Sequence, residues 1–205
     1  MNKLLRILSC VAPLFALAGC AASIPPHFAR ELMTDVGSSE ISPPAPDKVK
    51  IVFMRTSVVS ASDTSDLFEV VDGELRYVGA LVMGMKVAYE TTPGEKVFMA
   101  CGMAADFMLG DLSGGKIYYA VIRPNYGTGG MIPTPIRPSN MMSKEFASWV
   151  ADTKLVAPNA EAKVWFNQEK DHFQDIYKGY WAKFQRKTPA EKAERTLNPQ
   201  DGVLK

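Results

Sequence analysis

Residues 67–78, Leu-Phe-Glu-Val-Val-Asp-Gly-Glu-Leu-Arg-Tyr-Val, decide the fold class of this chain. Two apolar runs, 67–71 and 75–78, flank the tripeptide 72–74, Asp-Gly-Glu. An Asp-Gly pair between apolar runs is among the strongest short-range signals for a β-hairpin. The stretch therefore predicts two antiparallel strands joined by a tight turn.

The segments on either side of this hairpin carry similar patterns. Upstream, Val49, Ile51 and Phe53 occupy every second position of 48–54, so a strand there has one strongly apolar face. Downstream, the tetrapeptide 92–95, Thr-Pro-Gly-Glu, lies between the runs 87–91 and 96–101. Proline followed by glycine fits the dihedral angles of a type II turn, which predicts a second pair of strands.

A third candidate pair joins the runs 105–109 and 116–123 through Ser-Gly-Gly at 113–115. Residues 129–138 contain three more prolines, so any strand there is predicted to lie at a sheet edge. Short strands that recur about every ten residues, with turn residues between them, are typical of an antiparallel sandwich or a small barrel.

The last third of the chain is predicted to be helical. Apolar residues at helical spacing over 142–150 predict a first helix that Ser143 caps. Asn159 is a predicted N-cap for a long amphipathic helix over 160–186, and 188–191, Thr-Pro-Ala-Glu, has the form of a capping box. The tail after residue 198 is predicted to be frayed.

Aromatic side chains form a stripe along the long helix, which we call the aromatic stripe: Phe166, Phe173, Tyr177, Tyr180 and Phe184. It either covers the open face of the sheet or faces a partner or membrane, which would leave Trp165, Tyr180 and Trp181 exposed. The predicted fold is mostly β with C-terminal helices (α+β), as an antiparallel β-sandwich covered or flanked by this helix.

The N-terminal residues indicate an export signal. Lys3 and Arg6 precede a mainly apolar run over 7–18, which is shorter than the roughly 20 residues that a membrane span needs. The run ends in Leu17, Ala18, Gly19 and Cys20, which resembles the lipobox of bacterial lipoproteins. A plain secretory signal and a retained N-terminal anchor are the alternatives.

The lipobox resemblance implies that residues 1–19 are a lipoprotein signal peptide, removed after Cys20 receives a diacylglyceryl group on sulfur. Acylation of the new amino group would then hold the chain to a lipid bilayer through Cys20. Ala21 at the second mature position favours the outer membrane, facing the periplasm. Residues 20–47 contain five prolines and are predicted to be an extended tether, followed by a β-sandwich domain over 48–140 and a helical segment over 141–205.

The order of four motifs carries a second resemblance. These are 48–55, Lys-Val-Lys-Ile-Val-Phe-Met-Arg, then 71–75, Val-Asp-Gly-Glu-Leu, then 92–96, Thr-Pro-Gly-Glu-Lys, and 114–121, Gly-Gly-Lys-Ile-Tyr-Tyr-Ala-Val. The set resembles a family of bacterial lipoproteins that carry a prealbumin-like β-sandwich domain of unknown function. The resemblance implies a fold and a location in the bacterial envelope, but no activity.

Charge and cysteine content narrow the function classes. Of 23 basic residues, the signal removes Lys3 and Arg6, so the mature chain carries 21 basic and 22 acidic side chains. This balance gives no electrostatic reason to expect nucleic acid as a partner. Loss of Cys10 and lipidation of Cys20 leave Cys101 without a disulfide partner, and its apolar surroundings predict a small buried side chain.

No catalytic constellation, metal site or cofactor is predicted. His172 has Glu169 and Asp175 one helical turn away, but such a group is more often solvated than metal-binding. The acids in 60–66 are predicted to lie in a solvent-facing loop, and Gly-Thr-Gly-Gly at 127–130 lacks the helix start of a phosphate site.

The sequence therefore favours a non-catalytic binding or structural role in the bacterial envelope. The expected partner is an unknown envelope protein or cell-wall component. The alternative is a cell-wall or small-molecule hydrolase whose site is assembled from residues distant in the sequence, and a polar cleft that contains His172 would favour it.

Overall fold

The computed structural model describes residues 30–57, 63–125, 127–128 and 130–204. Within these ranges, eleven strands form one sheet and helices follow in the C-terminal part, which confirms a mostly β, α+β fold. The strands are β1 Met33–Asp35, β2 Val49–Arg55, β3 Ser65–Val71, β4 Glu74–Leu81, β5 Met85–Thr91, β6 Gly94–Cys101, β7 Ala105–Leu112, β8 Ile117–Asn125, β9 Gly130–Pro135, β10 Lys154–Pro158 and β11 Thr196–Leu197. The helices are α1 Pro138–Met141, α2 Lys144–Asp152, α3 Ala160–Gln185, α4 Pro189–Glu194 and a 3-10 turn at Pro199–Asp201.

The sheet is nearly closed and barrel-like. Its strand order is β1-β10-β5-β2-β8-β9-β7-β6-β3-β4, with β11 beside β7, and β4 comes back against β5 and β10. One apolar cluster fills the interior, because the inward-facing positions of each strand carry large side chains. Its members include Ile51, Phe53, Leu67, Val78, Phe98, Met108, Tyr118 and Ile122.

Both faces of the central strand β2 are buried. Ile51 and Phe53 point into the interior cluster, whereas Val52 and Met54 lie in a second cluster beneath α1 and α2. Tyr119 of β8 belongs to the second cluster and meets the ring of Phe146 edge-on, with centroids 5.1 Å apart. Helices on this outer face explain why β2 is almost continuously apolar rather than strictly alternating.

The aromatic stripe of α3 covers the opposite outer face of the sheet, formed by β3, β4, β6 and β7. Phe173 packs on Phe68 with ring centroids 4.8 Å apart, and Phe184 packs on Phe107 at 5.4 Å. Phe166 and Tyr177 are also buried in this cluster. The interpretation of the stripe as core is therefore confirmed.

The predicted helix starts are confirmed. The side chains of Ser143, Asn159 and Thr188 each accept a hydrogen bond from a backbone N–H in the first turn of α2, α3 and α4. At Thr188 the reciprocal bond from its backbone to Glu191 completes the capping box. These are local signals, since each depends on atoms within three residues.

Of the three predicted strand pairs, only the hairpin over 67–78 forms. Asp72 and Gly73 have φ of 52° and 80° at its turn, and β3 pairs with β4 along its length. The other two pairs are wrong, because β5 pairs with β2 and β10 while β6 pairs with β3 and β7, and β7 is not paired with β8. A turn fixes a local reversal, whereas burial of the apolar faces selects the partner strand.

The sheet is mixed rather than antiparallel. β2–β8, β5–β10, β7–β9 and β7–β11 are parallel pairs. The predicted edge position of the proline-rich strand is also wrong, because β9 lies between β8 and β7. Its register with β7 is confined to Met131 opposite Ala105, so Pro133 and Pro135 avoid the second hydrogen-bond ladder that proline cannot complete.

The ends of the domain differ from the predicted boundaries. Part of the predicted tether belongs to the fold, because β1 pairs with β10 and Met33 is only 5% exposed. The helical segment likewise contributes β10 and β11 to the sheet. The tail is not frayed as predicted, since Asp201 is buried and Val203 bridges to Ile117.

Candidate functional site

The inward-facing positions of the sheet change from apolar to polar at one end of the interior. On β3 the change is from Leu67 to Glu69, and on β5 it is from Val87 to Tyr89. Tyr89 and Glu69 are joined by a hydrogen bond, so the two strands meet at this end. The apolar interior is therefore closed by a layer of polar side chains.

Glu69 lies at the centre of this layer and is completely buried. Its carboxylate accepts hydrogen bonds from the Tyr89 hydroxyl at 2.7 Å and from the Thr91 hydroxyl at 2.9 Å. The Lys96 ammonium lies 3.8 Å from the same carboxylate. A buried carboxylate is costly unless it is paired and hydrogen-bonded, and here donors from β5 and β6 hold it in place.

The same environment controls the protonation of Tyr89. Burial raises the pKa of the Tyr89 phenol well above its ordinary value, and the hydrogen bond to Glu69 and the charge of Glu69 raise it further. The phenol therefore stays protonated at neutral pH and acts as a hydrogen-bond donor. It cannot serve as a general base there.

A cavity of about 430 Å³ opens next to Glu69, and we call it the mouth cavity. Lys48, Arg76 and Lys96 contribute positive charge to its lining, whereas Glu69 and Glu90 contribute negative charge. Glu90 is 3.5 Å from the ammonium of Lys50 on the outer face of β2. The cavity thus presents fixed groups of both signs to a ligand, within the size range of small-molecule sites.

A larger groove of about 640 Å³ runs between β4 and the first half of α3, and we call it the helix groove. Leu75, Tyr77 and Phe166 form an apolar floor. Its other lining residues are Arg76, Pro158, Lys163, Asn167 and Lys170. Arg76 lines both this groove and the mouth cavity, so one residue is common to the two sites.

The predicted processing motif lies outside the described residues. Leu17, Ala18, Gly19 and Cys20 all precede residue 30, where the described chain begins. The lipidation of Cys20 therefore stays a prediction. None of the described helices combines the length and the apolar character that a membrane crossing requires.

His172 lies on α3 near the aromatic cluster. Its ring is 5.5 Å from that of Phe173, and its Nε2 is buried without a hydrogen-bond partner in the described chain. It lines neither the mouth cavity nor the helix groove. The described residues contain no group of three or more His, Cys, Asp and Glu side chains that could hold a metal ion.

Asp66 and Cys101 are both buried at the aromatic cluster between α3 and the sheet. Asp66 was predicted to lie in a solvent-facing loop, which is wrong, because it is the second residue of β3 and 1% exposed. Burial raises the pKa of its carboxyl well above the ordinary value. Cys101 is 2% exposed within the cluster under α3, which confirms the prediction of a small buried side chain.

Sequence reasoning did not identify Glu69, Tyr89 or Arg76 as site residues. The available signal was Glu69 itself, a charged residue at an inward position of a strand that is otherwise apolar. The register then places Arg76 directly opposite Glu69 on β4. Tyr89 comes from a strand that the sequence paired incorrectly, so its contact with Glu69 could not be foreseen.

Comparison with known proteins gives no family. No protein-family model matches the chain. A search of curated proteins also found no significant match. The resemblance to prealbumin-like lipoproteins therefore stays a prediction that rests on the four sequence motifs.

Proposed function

We propose that this chain is a lipid-anchored protein of the bacterial envelope with a non-catalytic binding role. Acylated Cys20 holds it to a bilayer, and Ala21 favours the outer membrane, facing the periplasm. The β domain is a relative of the prealbumin-like sandwiches of such lipoproteins, and it binds a polar component of the cell wall in the mouth cavity.

The observation that carries the proposed binding role is the paired carboxylate of Glu69 beside an open cavity. Replacing a buried ion pair with apolar side chains is often neutral or stabilising, so a charged group retained at a cavity is better explained by a ligand than by folding. The hydroxyls of Tyr89 and Thr91 both donate to Glu69, and this use favours a positioning role over nucleophilic chemistry.

The charges in the mouth cavity indicate the chemistry of the ligand. Arg76 and Lys48 can receive a carboxylate, since a guanidinium presents paired donors to one. Glu90 can accept a hydrogen bond from a ligand amine or hydroxyl. Fragments of the bacterial cell wall carry carboxylate, amine and hydroxyl groups together on sugars and short peptides, and a cavity of about 430 Å³ accommodates one such unit.

The test is equilibrium binding of soluble cell-wall fragments to the full chain in detergent, measured by calorimetry and by thermal shift. Arg76→Met removes the exposed guanidinium, and we expect about a tenfold or greater loss of affinity, which corresponds to about 1.4 kcal/mol. Arg123→Met, at an exposed position on β8, is the matched control and leaves binding unchanged. Glu69→Gln tests the centre of the site.

Binding that is equal in wild type, Arg76→Met and Glu69→Gln would contradict the mouth cavity as the site. The absence of any bound fragment would contradict the proposed ligand class. A melting temperature for Arg76→Met that matches wild type would show that lost binding does not come from unfolding.

A further inference from the structure

We propose that the helix groove binds the head group of an anionic phospholipid in the bilayer to which the chain is anchored. This inference rests on the proposed lipidation of Cys20. It concerns a surface that shares only Arg76 with the mouth cavity, and a different ligand. It would make the orientation of the domain on the membrane a property of the fold rather than of a free tether.

The groove combines an apolar floor with a positively charged rim. Leu75 and Phe166 are buried at its base, while Arg76 and Lys163 are exposed at its edges. Lys170 completes the rim, and its ammonium is 2.6 Å from the carboxylate of Glu74. Arginine and lysine recognise phosphate oxygens, whereas an apolar base suits the glycerol and first methylenes of a lipid.

The two exposed cations at this rim are available for a ligand. Neither Arg76 nor Lys163 forms an ion pair with the part of the chain that the structure describes. The residues that line the groove include no acid, and the Glu74 carboxylate beside its rim is paired with Lys170, while the mature chain as a whole is close to neutral. The positive charge is therefore local to the groove, which is the charge complementarity that an anionic head group requires.

The position of the tether places this groove near the membrane. The described chain begins at residue 30, and the backbone of Leu32 and Glu31 is held by Asn159, whose N–H donates to Leu32 O at 3.0 Å and whose side-chain amide donates to Glu31 O at 2.6 Å. Asn159 directly follows Pro158, which lines the groove. The chain that leads to the proposed anchor therefore leaves the domain beside the groove.

The length of that connection limits how far the groove can lie from the lipid. Nine residues, 21–29, lie between Cys20 and Arg30, so ten Cα–Cα steps connect the two. At no more than about 3.6 Å per step, these steps span at most about 36 Å. A groove at this end of the domain is held at high effective concentration relative to the lipid head groups, so even weak contacts are populated.

The experiment uses the full-length, processed lipoprotein reconstituted into vesicles that contain a trace of head-group-nitroxide lipid. A fluorophore on Val164→Cys reports proximity, because Val164 is 58% exposed and adjoins the groove residue Lys163 on α3. A fluorophore on Lys144→Cys, on α2 at the other outer face of the sheet, is the control position. Cys101 is buried and stays unlabelled.

In vesicles that contain phosphatidylglycerol, we expect strong quenching at position 164 and weak quenching at position 144. In phosphatidylcholine alone, or at about 0.5 M salt, where screening is nearly complete, the difference should disappear. The double variant Arg76→Glu, Lys163→Glu should lower the population of the lipid-bound orientation about 25-fold or more. The loss of each cation near an anionic surface weakens binding to that surface about fivefold. Lys144→Glu with Lys187→Glu, an equal change in net charge elsewhere, should leave quenching at 164 unaltered.

Equal quenching in the two lipid mixtures, or quenching at 164 that survives the groove double reversal, would overturn the proposal. Failure of the anchor gives a different result, because an unlipidated chain does not float with phosphatidylcholine vesicles at all. Flotation therefore reports the proposed function, and the dependence of quenching on phosphatidylglycerol reports the groove.

Discussion

Replacement of Phe173 by alanine tests whether α3 is part of the core. The Phe173 side chain is 1% exposed, and its ring lies 4.8 Å from that of Phe68 and 5.6 Å from that of Trp165. Phe173→Ala removes a buried phenyl ring from a packed core and leaves a cavity in the middle of the cluster that joins α3 to the sheet.

The size of the effect follows from these contacts. Truncation of a buried phenylalanine costs about 3–5 kcal/mol, including the lost ring contacts. The better helix propensity of alanine offsets about 0.5 kcal/mol of this. We therefore expect the free energy of unfolding to fall by about 2.5–4.5 kcal/mol.

Urea unfolding of wild type, Phe173→Ala and the control Val164→Ala, followed by circular dichroism, measures this difference. Val164 lies on the same helix but is 58% exposed, so its truncation should change stability by less than about 0.5 kcal/mol. A loss below about 1 kcal/mol at Phe173, or equal losses at both positions, would refute the assignment of the aromatic stripe to the core.

Three other expectations test the buried polar groups and the glycines. Burial raises the pKa of Asp66, so the folded chain keeps a proton that the unfolded chain releases above about pH 4, and the free energy of unfolding falls as pH rises toward the folded pKa. Asp66→Asn should flatten this fall when urea unfolding is measured across pH. The same pH dependence in wild type and variant would count against a raised pKa at Asp66. Arg137 donates hydrogen bonds to Asp201, Thr196 O and Ala193 O, so Arg137→Met should lower the free energy of unfolding by about 2 kcal/mol and expose the C-terminal tail to proteolysis. A digestion rate equal to that of wild type would show that Arg137 does not hold the tail in place. Gly73 has a φ of 80°, so Gly73→Ala should lower the free energy of unfolding by about 1–2 kcal/mol. Gly179 lies in open space on α3, so Gly179→Ala should raise the free energy of unfolding by about 1 kcal/mol, measured by thermal unfolding. Two changes of the same sign would contradict these backbone assignments.

Local chemistry in this sequence was predictable. The turn at Asp72-Gly73 and the caps at Ser143 and Asn159 each depend on a few neighbouring atoms, and all three form as the sequence indicates. The length and inner face of α3 also follow from its periodicity, because one wide apolar stripe on a helix needs a surface to cover.

Strand pairing was not predictable in the same way. The chain bends at Pro93 and β6 begins at Gly94, yet β5 and β6 are not paired and belong to different parts of the sheet. The parallel partner of β2 is β8, which lies more than sixty residues along the chain. The candidate site depends on such pairings, since Glu69 and Tyr89 meet only after β3 and β5 have closed the interior.

The mass of the N-terminal peptide of the processed protein, purified from membranes, tests the central claim most directly. The account predicts a chain that begins at Cys20 and carries a diacylglyceryl group on its sulfur, with a further acyl chain on the amino group. A chain that retains residues 1–19, or one that carries an unmodified thiol at Cys20, would contradict it.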